Sequence, residues 1–162
     1  MGGQAQESVA VVVYRDSGAW VSEVLPIRIG DDLDGLITAL RQQPADGGAI
    51  GLVNVADEFF VAARVQGDNV RLMLSDASAA TDWDLARQVT DRLGLDTPPD
   101  EAAQEIWPAG DIGIFSDLGL DALEFGVLLD DIDAYADEML ISVADRLGFG
   151  DVYDRALDAA IH

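Results

Sequence analysis

Apolar residues recur along this chain with two different periods, first the two-residue alternation of strands and later the longer spacing of helices. Ser8 to Arg15 and Ala19 to Leu25 read as strands around Asp16-Ser17-Gly18, a short loop with glycine where a positive φ is needed, and so predict a hairpin. Leu33, Leu36, Ile37 and Leu40 fall at i, i+3, i+4 and i+7, one face of a helix. Asp31, Asp32 or Asp34 stands at its start and Pro44 beyond its end. Three further strands follow, Ala49 to Val55, Glu58 to Gln66 and Asn69 to Ser75, separated by Ala56-Asp57 and Gly67-Asp68 in the manner of a meander.

After Asp76 the pattern turns helical. Thr81-Asp82-Trp83-Asp84 has the form of a capping box, Ala86, Val89 and Leu93 line a face, and Gly94 offers a stop. Leu95 to Gly110 holds Pro98, Pro99 and Pro108 with few periodic apolar positions and reads as a loop. Asp111 to Phe115 is a candidate short strand. Leu120, Leu123, Val127 and Leu128 predict one helix, and Met139, Leu140, Val143 and Leu147 another. Gly148-Phe149-Gly150 breaks the chain before a last helix from Asp151 to Ala160. A strand-rich run followed by a helical run predicts a single α+β domain over 1–162, a mainly antiparallel sheet of about five strands with helices packed on one face. Within it, 8–94 form the sheet with its helices, 95–110 a loop, and 111–160 a mainly helical part.

The turn at Gly67-Asp68 sets a register. Val65 faces Val70, Ala63 faces Leu72 and Val61 faces Leu74 on one apolar side, which places Arg64 directly across from Arg71 on the other, flanked by Phe60, Ala62, Met73 and Ser75. Like charges directly opposite destabilise a sheet unless an anion lies between them. That anion is either a carboxylate of this acidic chain, the favoured reading, or a ligand or partner group.

Two segments echo one another weakly. Arg71 to Asp76 and Asp111 to Asp117 both run from an apolar stretch into Ser-Asp, and the plain role of Asp76 and Asp117, or of their serines, is to cap turns and helix starts. Trp107, an aromatic in the least periodic segment, is either an interface anchor or a residue folded back on the core. Arg64, Arg71, Asp76, Trp107 and Asp117 are therefore the candidate residues for partner binding or anion pairing.

Composition narrows the chemistry. The 162 residues are 49% hydrophobic, enough for one core, and carry 31 acids against 9 arginines, with no lysine and a net charge of -22. Such a charge repels phosphates, so direct nucleic acid binding is not expected. It suits either a basic protein partner or simple solubility.

No cysteine is present and the one histidine is His162, so disulfides, thiolate metal sites and Ser-His-Asp or Cys-His triads are out of reach. Walker and Gly-x-Gly-x-x-Gly loops are absent, as is any lysine for Schiff-base chemistry. Carboxylate acid/base or Mg2+ chemistry survives, at Asp130-Asp131-Ile132-Asp133 or Asp31-Asp32-Leu33-Asp34, but both clusters fall at helix boundaries where aspartate complements the helix dipole. No cofactor is expected. Met1 to Glu7 lacks the basic and apolar regions of a secretory leader, and no apolar run approaches the roughly 18 residues of a membrane span, so the expected address is the cytoplasm.

The run Phe59-Phe60-Val61-Ala62-Ala63-Arg64-Val65, with Arg71-Leu72-Met73-Leu74-Ser75-Asp76-Ala77, resembles the tRNA adenosine deaminase-associated proteins of high-GC bacteria. Gly110-Asp111, Phe115-Ser116-Asp117-Leu118-Gly119-Leu120, Asp137-Glu138-Met139-Leu140 and Ala144 to Gly150 extend the resemblance over most of 8–155, with 95–108 matching least. The resemblance implies association with the deaminase that converts adenosine to inosine in tRNA, not deamination by this chain. Zinc deaminases need a His/Cys/Cys ligand set and a His-x-Glu signature, which zero cysteines and His162 cannot build. The leading expectation is thus a non-catalytic accessory or regulatory partner of that enzyme, acting through protein contacts. A small acidic chaperone or adaptor for another client, and a carboxylate-dependent metal enzyme, are the alternatives, and homo-oligomerisation is left open.

Overall fold

A computed structural model describes residues 8–26, 32–43, 48–81, 83–94, 108–130 and 135–161. Its centre is a six-stranded antiparallel sheet of order β2-β1-β3-β4-β5-β6, made of β1 (Val9–Asp16), β2 (Ala19–Leu25), β3 (Ala49–Val55), β4 (Phe59–Gln66), β5 (Asn69–Leu74) and β6 (Ala109–Gly110). Five α-helices lie among the described residues: α1 (Leu33–Arg41), α2 (Asp84–Leu93), α3 (Ala122–Leu129), α4 (Ala136–Leu147) and α5 (Gly150–Ile161). The α+β class and single domain agree with the sequence reading.

The helices cover both faces of the sheet, not one. Ala10, Val12, Val53, Val61 and Leu74 pack with Leu36, Leu40 and Val89 of α1 and α2, whereas Val11, Val13, Leu52, Phe60 and Met73 pack with Phe125, Leu140 and Tyr153 of α3, α4 and α5. The cause is written in the strands, since β4 is buried at every position from Phe59 to Val65 and β1 from Ala10 to Tyr14. Strands apolar on both alternating sets need cover on both sides. Gly51 in β3 lets α1 lie close, because a Cβ there would stand 3.0 Å from Leu36 Cδ1 and 3.2 Å from Leu40 Cδ1.

The sixth strand also differs from expectation. Asp111 to Phe115 forms turns, and the pairing with β5 is made instead by Ala109 and Gly110, opposite Leu74 and Met73. Gly110 has φ of +99°, and a Cβ there would collide with the Leu72 carbonyl, so glycine is what lets the chain leave the sheet at this point.

The capping box at Thr81-Asp82-Trp83-Asp84 is replaced by another start. Thr81 ends a 3-10 turn (Ala77–Thr81), Trp83 takes the cap position without a side-chain bond to the helix backbone, and its backbone N–H donates to Ala79 O at 2.8 Å. Asp32 caps α1 by accepting from Gly35 N–H at 3.1 Å, and Gly94 and Gly148 close α2 and α4 with left-handed φ of +76° and +95°. No helix among the described residues is long and apolar enough to cross a membrane.

Candidate functional site

The register places Arg64 opposite Arg71, with Val65 opposite Val70, Ala63 opposite Leu72 and Val61 opposite Leu74. Both guanidiniums reach into the turn that follows β6. Arg64 grips Asp117 with two parallel bonds, Nη1 to Oδ1 at 2.5 Å and Nη2 to Oδ2 at 2.8 Å, and its Nη1 also donates to the Ile114 carbonyl at 2.9 Å. Arg71 donates from Nε to Asp111 Oδ2 at 2.6 Å and from Nη2 to the Gly113 carbonyl at 2.9 Å. Asp111 Oδ1 in turn accepts from Gly113 N–H at 3.0 Å. Two like charges that would repel across the sheet are thus each neutralised by a carboxylate of one turn, and together they fasten that turn down.

Burial makes the two pairs unequal. The Arg64 side chain is 6% exposed while Asp117 is 59% exposed, whereas Arg71 and Asp111 are both half-buried. Arg64 is therefore a buried cation whose partner stands in water, and the hydrogen bonds from Arg64 hold the Asp117 carboxyl below the usual carboxylate range. A cleft of about 240 Å3 opens beside the pair, lined by Arg15, Trp20, Ile50, Arg64, Gln66 and Asp117. The Arg15 guanidinium lies 4.5 Å from the centre of the Trp20 ring, a cation–π contact, and Trp20 also meets Phe149 at 5.0 Å.

Ser75 and Asp76 do something different from Asp117. Ser75 Oγ accepts from Phe60 N–H at 2.9 Å and Ser75 N–H donates to Phe60 O at 3.0 Å, which prolongs the β4–β5 ladder by one residue. Asp76 opens the 3-10 turn with its carbonyl accepting from Ala79 N–H at 3.1 Å. Asp117 lies inside a short 3-10 turn (Ser116–Leu118) rather than at a cap, because its carboxylate is taken by Arg64. Trp107 lies outside the described residues. Asp111 was absent from the candidate residues; its place one residue after a glycine, ahead of Gly113, was the signal for a turn that could reach back to the sheet.

A second carboxylate contact lies at the start of α4. Ala56 and Asp57 both hold positive φ, +53° and +62°, in the β3–β4 turn, and Asp57 Oδ1 accepts from Asp137 N–H at 2.9 Å. Burial, and then the nearby Asp57 charge, push the Asp137 carboxyl up. Among the described residues no three of His, Cys, Asp and Glu converge as metal ligands.

Residues 8–150 match the Rv3753c-like tRNA adenosine deaminase-associated protein family. The chain is 37% identical to Protein Rv3753c of Mycobacterium tuberculosis over 153 residues, covering 94% of this chain and 88% of that protein. No solved structure matches it.

Proposed function

This chain belongs to the Rv3753c-like tRNA adenosine deaminase-associated protein family, and from that premise we propose that it is a non-catalytic accessory partner of a tRNA adenosine deaminase, acting in the cytoplasm through protein–protein contacts. The observation that carries the reading is the double arginine pairing. Arg64 and Arg71 are committed to Asp117 and Asp111, so this polar cluster is built to fix the 111–120 segment and the start of α3. It shapes a surface. A chain with no cysteine, no lysine and His162 as its one histidine cannot assemble the His/Cys zinc set and His-x-Glu signature of the deaminases themselves.

Its charge of -22 fits a basic protein surface and opposes direct contact with RNA. The test is calorimetric titration of this protein into the zinc-loaded deaminase of the same organism at low and moderate salt. Saturable binding that weakens with salt is the expected result. No heat and no co-elution at either salt would end the reading.

A further inference from the structure

Helix α3 carries hydrophobic residues on two sides, one facing the core and one facing outward. Phe125 and Leu129 are buried against the sheet, while Leu123 is 81% exposed and Val127 70% exposed, one turn apart on the outer face. An isolated exposed Leu is ordinary, but two successive turns presenting branched aliphatics on one helix face form a continuous stripe.

The stripe sits in a strongly acidic setting. Residues 111–145 contain ten acids and no lysine or arginine. Asp121 caps α3 at one end, accepting from Glu124 N–H at 2.8 Å, Asp130 closes the other, and both are exposed. The base brought to this helix from α4, Arg146, is neutralised by Glu124. A complementary surface therefore has an apolar centre ringed by lysine or arginine. A second copy of this chain does not fit, because it would set Asp121 and Asp130 of each copy against the other's acidic rim.

We propose that the Leu123–Val127 face of α3 is the docking surface for a cationic amphipathic element of a partner protein, with Asp121 and Asp130 receiving its bases. The arginine pairs supply the rigidity this requires. Asp111 and Asp117 are the points at which Arg71 and Arg64 hold the segment that leads into α3, and Leu120, at the end of that segment, is buried. Arg64 and Arg71 are positioning residues for this surface and do not touch the partner. The inference rests on the accessory-partner reading for the identity of the partner, but not for the chemistry of the surface.

Two probes separate the two claims. The zinc-loaded deaminase is titrated with the wild type and with the Leu123→Glu/Val127→Glu double variant, whose substitutions fall on exposed positions and leave the melting temperature unchanged within about 2 °C. The same two proteins are titrated with a synthetic helical peptide bearing a leucine stripe between arginines. At least a tenfold loss of deaminase affinity in the double variant is expected, together with loss of peptide binding. Equal deaminase binding by both proteins would overturn the surface while sparing the partner reading. Peptide binding lost in the variant, with no deaminase binding by the wild type, would uphold the surface and sink the partner. Failure of the wild type to bind either probe would overturn the surface, as would a wild-type dimer in sedimentation that the double variant abolishes.

Discussion

Arg64 and Arg71 face each other directly across β4 and β5, and the repulsion between them is offset by two carboxylates from one turn, Asp117 for the first and Asp111 for the second. The arrangement converts an unfavourable cross-strand pair into a two-point clamp on the segment leading to α3. Because Arg64 is the buried member, the severest single loss is that of its partner. Asp117→Ala leaves a buried guanidinium with, among the described residues, only the Ile114 carbonyl, and a cost of about 2–4 kcal/mol is expected in urea unfolding. Adding Arg64→Met, which fills the same space without charge, is expected to recover part of that cost. A double variant less stable than Asp117→Ala would contradict this account. Arg71→Ala, which breaks a half-exposed pair, is expected to cost less than about 1 kcal/mol.

The same pair sets a pH dependence. Hydrogen bonds from Arg64 depress the Asp117 carboxyl in the folded state, so the folded protein binds fewer protons there than the unfolded chain. The stability this contributes is fully present above the unfolded carboxylate range, near about pH 4, and is lost as pH falls through the depressed folded value. Melting curves from pH 7 down to pH 2 should show a steeper acid limb for the wild type than for Asp117→Asn. Parallel limbs would mean that the pair contributes no linkage.

Much of this geometry could be read before any coordinates. The Gly67-Asp68 turn and the alternation of Val61, Ala63 and Val65 against Val70, Leu72 and Leu74 specify one register, since a shift by one residue would mix charged and apolar positions on each face. Cover on one face was the expectation and it was wrong, although the signal stood in Ala10 to Tyr14 and Phe59 to Val65, where both alternating sets are apolar apart from Arg64; a one-faced sheet cannot hold such runs. The role of Asp111 was not legible, because it depends on where a turn lands in space rather than on a local pattern. Leu123 and Val127 illustrate a further limit. They mark α3 by helical spacing, but spacing does not reveal which face meets the core when Phe125 and Leu129 supply a competing stripe.

Asp137 offers a stabilising substitution. Burial and the Asp57 charge raise its carboxyl, so the folded state disfavours the ionised form. The sign is opposite to that of Asp117: a raised carboxyl costs stability above the unfolded range, and the cost grows as pH rises through the folded value. Asp137→Asn removes the repulsion and is expected to raise the melting temperature at pH 7, with the difference shrinking towards pH 4. A lower melting temperature at pH 7 would show that the attraction of Asp137 to the α4 N-terminus outweighs its repulsion from Asp57.

Gly126 tests how firmly α3 is held. It lies in the helix interior, where glycine is less favourable than alanine by about 0.8–1 kcal/mol, and a Cβ there would rest 3.6 Å from Ile112 Cδ1, ordinary contact distance. Gly126→Ala is therefore expected to stabilise the protein by about 0.5–1 kcal/mol in urea unfolding, through lower entropy of the unfolded chain and added contact with Ile112. Because that contact is at ordinary distance, the added methyl is accommodated and hydrogen exchange in α3 slows. A loss of stability would instead mean that Ile112 cannot give way, and that the clamp set by Arg64 and Arg71 holds α3 tightly enough for a single methyl group to matter.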